Sequence, residues 1–161
     1  MFARLGPAPA PQGADVIARA VGALALAALA VIHVVDLPGT LGTTPLVGAG
    51  YLGIIAAAVL TGGVMITRSH WLAWAAAGAV AASAMGGYVL TRAVPGGFLG
   101  DHADVGNWRC PLGIAALSVE TLIILLVVLA AWQARARTAS AAAQPLPELV
   151  TRRTPEYSRP G

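Results

Sequence analysis

Charge is scarce in this chain. Only 11% of the 161 residues are Asp, Glu, Lys or Arg, against 57% hydrophobic, and mean hydropathy is +0.74. An ordinary soluble domain carries about a quarter of its residues as charges, so that class is excluded. No polar stretch is left over that is long enough to fold as an independent soluble domain. Lysine is absent and all ten basic residues are arginine. A single cysteine, Cys110, excludes an intramolecular disulfide, a CxxC redox pair and a multi-cysteine metal site. Phosphate-binding GxxxxGK, HExxH, GxSxG and EF-hand spacings are all missing, so no motif points to an enzyme and enzymatic activity stays undecided.

What the chain does hold is four apolar runs of roughly twenty residues, each about long enough to cross a ~30 Å hydrocarbon layer at ~1.5 Å per residue. They predict membrane helices over about 15–35, 46–67, 70–91 and 113–133, making a transmembrane domain of about 14–137 between two disordered tails, 1–13 and 138–161. The fold class is all-α, an integral membrane four-helix bundle. Asp15 flanks the first helix with Arg19 in pairing reach one turn on, and that helix is expected to stay as an uncleaved anchor. The DLPGTLGTTP segment at 36–45 reads as a turn. Small residues four apart on the second helix (Ala49, Gly53, Ala57) and the third (Gly78, Ala82, Gly86; Ala75, Ala79, Ser83, Gly87) allow close helix packing. They suggest that the third helix is the most enclosed, whereas the bulky TLIILLVVL core of the fourth suits lipid.

The sequence pI near 9.8 would suit nucleic acid in a soluble protein, but here the arginines flank membrane segments, so no nucleic-acid partner is expected. Arg4, Arg19, Arg68, Arg135 and Arg137 fall on the side of the termini, against Arg92 and Arg109 on the other. The positive-inside rule then predicts a plasma-membrane protein with both termini cytoplasmic and one ordered extracytoplasmic loop between helices 3 and 4.

Most of the remaining polar chemistry gathers at the outer end. Depths measured from the helix ends place His33, Tyr51, Tyr88 and Glu120 about 5–12 Å below the outer surface, one from each helix. An acid inside a membrane helix costs several kcal/mol unless it is paired, protonated or wet. Candidate partners for Glu120 are Arg92, Arg109, His33 and the two tyrosine hydroxyls. Above this layer Asp36, Arg92, Asp101, His102, Asp104, Trp108 and Arg109 form an outer lid, with Arg92 and Arg109 bracketing the two loop acids. Asp101, His102 and Asp104 share a side of the membrane with His33 and Asp36, a possible divalent-metal set. The plainer reading, an interfacial histidine held by the neighbouring carboxylate, is adopted. His33 and His70 lie at opposite membrane faces and cannot share a haem iron, so no cofactor is expected.

Three functions follow from these residues. The leading expectation is an accessory, scaffolding or self-assembling subunit, its partners the lipid bilayer and other membrane proteins or itself, engaged through the outer loop and small-residue faces. The alternatives are proton or small-solute transport with Glu120 as the titrating group, and an extracytoplasmic-side metal-binding protein or membrane enzyme.

Overall fold

The structure, a computed structural model, describes residues 12–68 and 71–143. Segments 1–11 and 144–161 of the expected tails, and His70, lie outside the described residues. Four helices run in order: α1 Gln12–Thr43, α2 Pro45–Thr67, α3 Trp71–Ala93 and α4 Pro111–Ala142. All four are long and apolar enough to cross a membrane, and together they imply a multi-pass membrane protein. In hydrocarbon no water can satisfy backbone N–H and C=O groups, so a helix, which bonds them internally, is the element such sequences must form.

Two helices outrun their apolar cores. α1 passes through the expected turn at 36–45 and continues eight residues beyond position 35, to Thr43, with Pro38 inside it. Proline removes one N–H, and in membrane helices hydroxyl side chains commonly support the weakened turn. Here the Thr40 hydroxyl donates to the Asp36 carbonyl at 3.0 Å, Thr43 to Gly39 at 3.1 Å and Thr44 to Thr40 at 3.3 Å. The helix breaks only at Thr44, whose φ of −138° and ψ of 75° leave the α region immediately before Pro45. α4 likewise runs nine residues past 133, so 138–142, expected within the tail, is helical. Its Arg137 Nη2 reaches Asp15 Oδ1 at 3.0 Å, tying the start of α1 to the end of α4. Asp15 thus pairs across the bundle rather than with Arg19, whose Nε donates to the Asp15 carbonyl at 3.4 Å. Both carboxylate and guanidinium are about half exposed, so solvent screening leaves this link little to contribute.

The helices surround a common axis in chain order, each packed on the one before and after it, with α1 on α2 the most extensive contact and α4 closing on α1. Short connections from α1 to α2 and from α2 to α3 explain much of this order, while the longer segment 94–110 joins α3 to α4. The core is a cluster of small and branched residues, with Leu26 and Leu29 of α1, Ala58 and Met65 of α2, Ala77 and Ala81 of α3 and Ile123 of α4 almost wholly buried. α1 is the most enclosed helix, 39% of its apolar window being buried against 28% for α3. The expectation for α3 fails because Ala75, Ala79 and Ala82 are exposed. Its buried face is Ala73, Ala77, Val80, Ala81 and Ala84. On α2 the expected ladder is also displaced: Ala49 and Gly53 are exposed, while Gly48, Ala58 and Gly62 pack inward.

Gly48 closes the α1–α2 hairpin. A Cβ there would come within 2.6 Å of Leu41 Cδ2 and 3.1 Å of its Cα, whereas one on Gly53 would meet nothing within 4 Å. Crowding of this kind costs about 1–3 kcal/mol. Thermal unfolding in detergent is expected to show Gly48→Val well below wild type and Gly53→Val close to it. Equal melting temperatures for the two variants would refute this assignment of the hairpin contact.

Candidate functional site

Between α3 and α4 the segment 94–110 folds back over the end of the bundle. It turns through positive φ at Gly96, Gly97, Leu99, Gly100 and Gly106. Gly97 (φ +86°) tolerates no side chain, because a Cβ would lie 2.8 Å from the carbonyl carbon and oxygen of Asp101. What holds this lid down is Arg92, in the last turn of α3 and only 7% exposed. Its Nε donates to the Asn107 carbonyl at 2.8 Å, Nη1 to Thr91 Oγ1 at 2.9 Å and to the Tyr88 carbonyl at 3.3 Å, and Nη2 pairs with Asp104 Oδ2 at 3.3 Å. The guanidinium also stacks on the Tyr88 ring, 3.7 Å from its centroid. The Arg92 carbonyl accepts from the Gly106 N–H at 3.0 Å. One residue therefore grips the lid by side chain and backbone together.

The acids finish the lid. Asp101 Oδ1 accepts from the Asp104 N–H at 3.2 Å, and Asp104 Oδ1 from the Asn107 amide at 3.3 Å. The Tyr88 hydroxyl donates to the Trp108 carbonyl at 3.0 Å, and the two rings meet edge-on with centroids 6.1 Å apart. The Tyr88 ring fills the space that a Cβ on Gly113 would need, which lets α3 and α4 approach at this level.

Under the lid lies a cavity of about 470 Å³ walled by all four helices. That is within the range of small-molecule sites, about 300–1,000 Å³. His33, Tyr51, Tyr88 and Glu120 all line it, as do Asp36, Arg92, Asp101 and Asp104. His33 is buried, ten residues inside the end of the lengthened α1. Its Nδ1 lies 2.9 Å from the Leu29 carbonyl. A carbonyl only accepts, so Nδ1 carries the proton and a neutral ring keeps its lone pair on Nε2. The ring meets Tyr51 edge-on at 4.8 Å, and the Tyr51 hydroxyl donates to Asp36 Oδ2 at 3.1 Å. Asp36 is thus held by Tyr51, and His33 by its own helix, instead of by each other.

Glu120 stands apart. It is 1% exposed, and its Oε2 is buried without a hydrogen-bond partner. Leaving a buried acceptor unpaired costs about 1–3 kcal/mol, and more if it is charged. Its expected partners are engaged elsewhere: Arg92 with Asp104, Tyr51 with Asp36, Tyr88 with Trp108 and His33 with Leu29. Arg109 is exposed and makes no ion pair among the described residues.

Three of the expected lid residues stay outside the cavity, since His102, Trp108 and Arg109 are exposed and do not line it. The bracketing of two acids by two arginines is replaced by one pair, a buried Arg92 with a half-buried Asp104, because only Arg92 lies under the lid. No three His, Cys, Asp or Glu side chains come together to hold a metal among the described residues, so His33 and Asp36 are not gathered with the loop acids and His102 here. Other residues matter that the sequence reading passed over. Thr40, Thr43 and Thr44 line the cavity because α1 continues through the supposed turn, and Asn107 anchors the lid by its carbonyl. The Thr40 and Thr44 spacing, one helical turn, was the available signal for the first group. A backbone carbonyl leaves no such signal.

No protein-family model matches the chain, and comparison with curated proteins and with solved structures returns no match. The geometry of the cavity is therefore the ground for any functional reading.

If Arg92 is the clasp, Arg92→Lys is expected to loosen the lid despite keeping the charge, since an ammonium cannot copy the planar fork or its stacking. Hydrogen exchange should then speed by about ten-fold or more over 94–110, corresponding to the ~1.5–3 kcal/mol of a charged hydrogen bond. Wild-type protection in the variant would show that the lid is held by something else.

Proposed function

We propose that this chain is a small multi-pass protein of the cytoplasmic membrane that binds a small amphiphilic molecule in the lidded cavity. The observation that carries this reading is the buried, unpartnered Glu120 Oε2 on a cavity to which all four helices and the lid contribute. A fold keeps an unsatisfied buried polar atom at a cost, and each such atom calls for an explanation, here a partner that enters the cavity. The walls are apolar, with Ile32, Leu46, Val47, Ile54 and Leu112 among them, and a few polar groups converge at one place, as in small-molecule sites generally. The arginine asymmetry along the sequence supports cytoplasmic termini, which puts the cavity on the extracytoplasmic side.

Binding is favoured over transport by what lies below. Toward the other end of the bundle the axis is filled by Leu26, Leu29, Ala58, Ala77, Ala81 and Ile123, so the polar layer leads into a dry plug. The variant Gly87→Leu tests the cavity without crowding the fold, because a Cβ at that lining position meets nothing within 4 Å. Organic extraction and mass spectrometry of protein purified in mild detergent should recover a stoichiometric small molecule from wild type and at least ten-fold less from Gly87→Leu. Equal recovery from both, or none from either, refutes the reading.

A second reading, an accessory or self-assembling subunit, is favoured by the outward stripes of small residues, Ala49, Gly53 and Ala56 on α2 and Ala75, Ala79 and Ala82 on α3. Stripes of this kind let helices of separate chains approach closely. Native mass spectrometry is expected to show an assembly that Ala79→Leu dissociates and Leu125→Ala, on exposed α4, does not. A wild-type monomer, or an assembly indifferent to Ala79→Leu, counts against it.

A further inference from the structure

The polarity of the cavity lining specifies the ligand's head group. Four carboxylates line the space, Asp36, Asp101, Asp104 and Glu120, against one guanidinium, Arg92, which is already spent on Asp104, Asn107, Tyr88 and Thr91. Most of the hydroxyl donors are committed as well. Tyr51 donates to Asp36, Tyr88 to the Trp108 carbonyl, and Thr40, Thr44 and Thr91 to backbone carbonyls. Beside the Ser83 hydroxyl, what remains on offer is acceptor capacity: the orphaned Glu120 Oε2 and, with Nδ1 turned to Leu29, the lone pair on His33 Nε2. A ligand that fits has to bring donors and positive charge. The aromatic rings of Tyr51 and Phe98 in the lining suit the same partner, because the negative face of a ring attracts an ammonium. A bare divalent ion does not fit, since no three ligating side chains converge among the described residues.

Resting on the binding reading above, we propose that the cavity takes an organic cation, a protonated amine on an apolar or aromatic body, with its ammonium donating to Glu120 Oε2. An anionic amphiphile would add like charge to the acids around Glu120, and a neutral one could offer a hydroxyl to Oε2 but would bring no countercharge to the lining.

Three matched probes separate these cases: 4-phenylbutylamine, 4-phenylbutanol and 4-phenylbutyrate, which share a body and differ in head group. The full chain in lipid nanodiscs is titrated with each, and binding is read as protection of Cys110, the sole cysteine and a cavity-lining residue, from a maleimide. The amine is expected to bind wild type about ten-fold or more tighter than the alcohol, with the carboxylate weaker still. Glu120→Gln should remove the amine's advantage and leave the alcohol's affinity within about two-fold. Alcohol or carboxylate binding as tightly as the amine, or an undiminished amine advantage in Glu120→Gln, overturns the cation assignment and leaves the cavity reading intact. Protection by none of the three, or protection unchanged in Gly87→Leu, overturns both. Should Glu120→Gln fail to fold, the amine-to-alcohol ratio on wild type still decides.

Discussion

A guanidinium sealed under a loop is the interaction on which the functional end of this molecule depends. Arg92 emerges from the last turn of α3, and nearly all of its surface is covered. Burying a charge is tolerable only when it is paired and its hydrogen bonds are met. Arg92 meets that condition by collecting Asp104, the Asn107 and Tyr88 carbonyls, the Thr91 hydroxyl and the face of Tyr88. Each of these contacts fixes a different part of the lid or of α3. Without them the segment 94–110 would be a glycine-rich connection with no reason to fold over the bundle, and the space beneath would be an open groove.

The same end of the bundle handles its polar groups in two contrasting ways. Around Arg92 the guanidinium is paired with Asp104 and its other donors are met, and the arrangement is structural. Around Glu120 the fold does the opposite, enclosing a carboxylate in α4 while directing the Tyr51 and Tyr88 hydroxyls elsewhere. Satisfied and unsatisfied groups thus stand side by side within one cavity. The first hold its shape, and the second gives it a chemical preference. Below them the packing of Leu26, Leu29, Ala58 and Ile123 is ordinary apolar close packing, indifferent to what the cavity holds.

How much of this was legible beforehand depends on the range of the forces involved. The existence of four membrane helices follows from run length and hydropathy, because the backbone must satisfy itself locally wherever water is excluded. Helix ends were less legible. Pro38 and Gly39 looked like a turn, yet α1 continues for another turn with threonine hydroxyls bonded to its own carbonyls. Small-residue spacing was the least reliable guide. Alanine and glycine fit equally well against a neighbouring helix or lipid, so Ala49, Gly53, Ala75 and Ala79 gave no sign of facing outward.

By itself, the sequence determined the helical membrane architecture and the gathering of His33, Tyr51, Tyr88 and Glu120 toward one end, since both follow from positions along straight helices of known rise. Only the tertiary structure decided the order of the helices, the choice of Arg92 over Arg109 as the clasp, and the isolation of Glu120. The physical reason is that a hydrogen bond extends about 3 Å and depends on direction. Sequence separation fixes the depth of a side chain along its helix. Which of several donors at that depth reaches it depends on how the helices rotate and where the lid comes down.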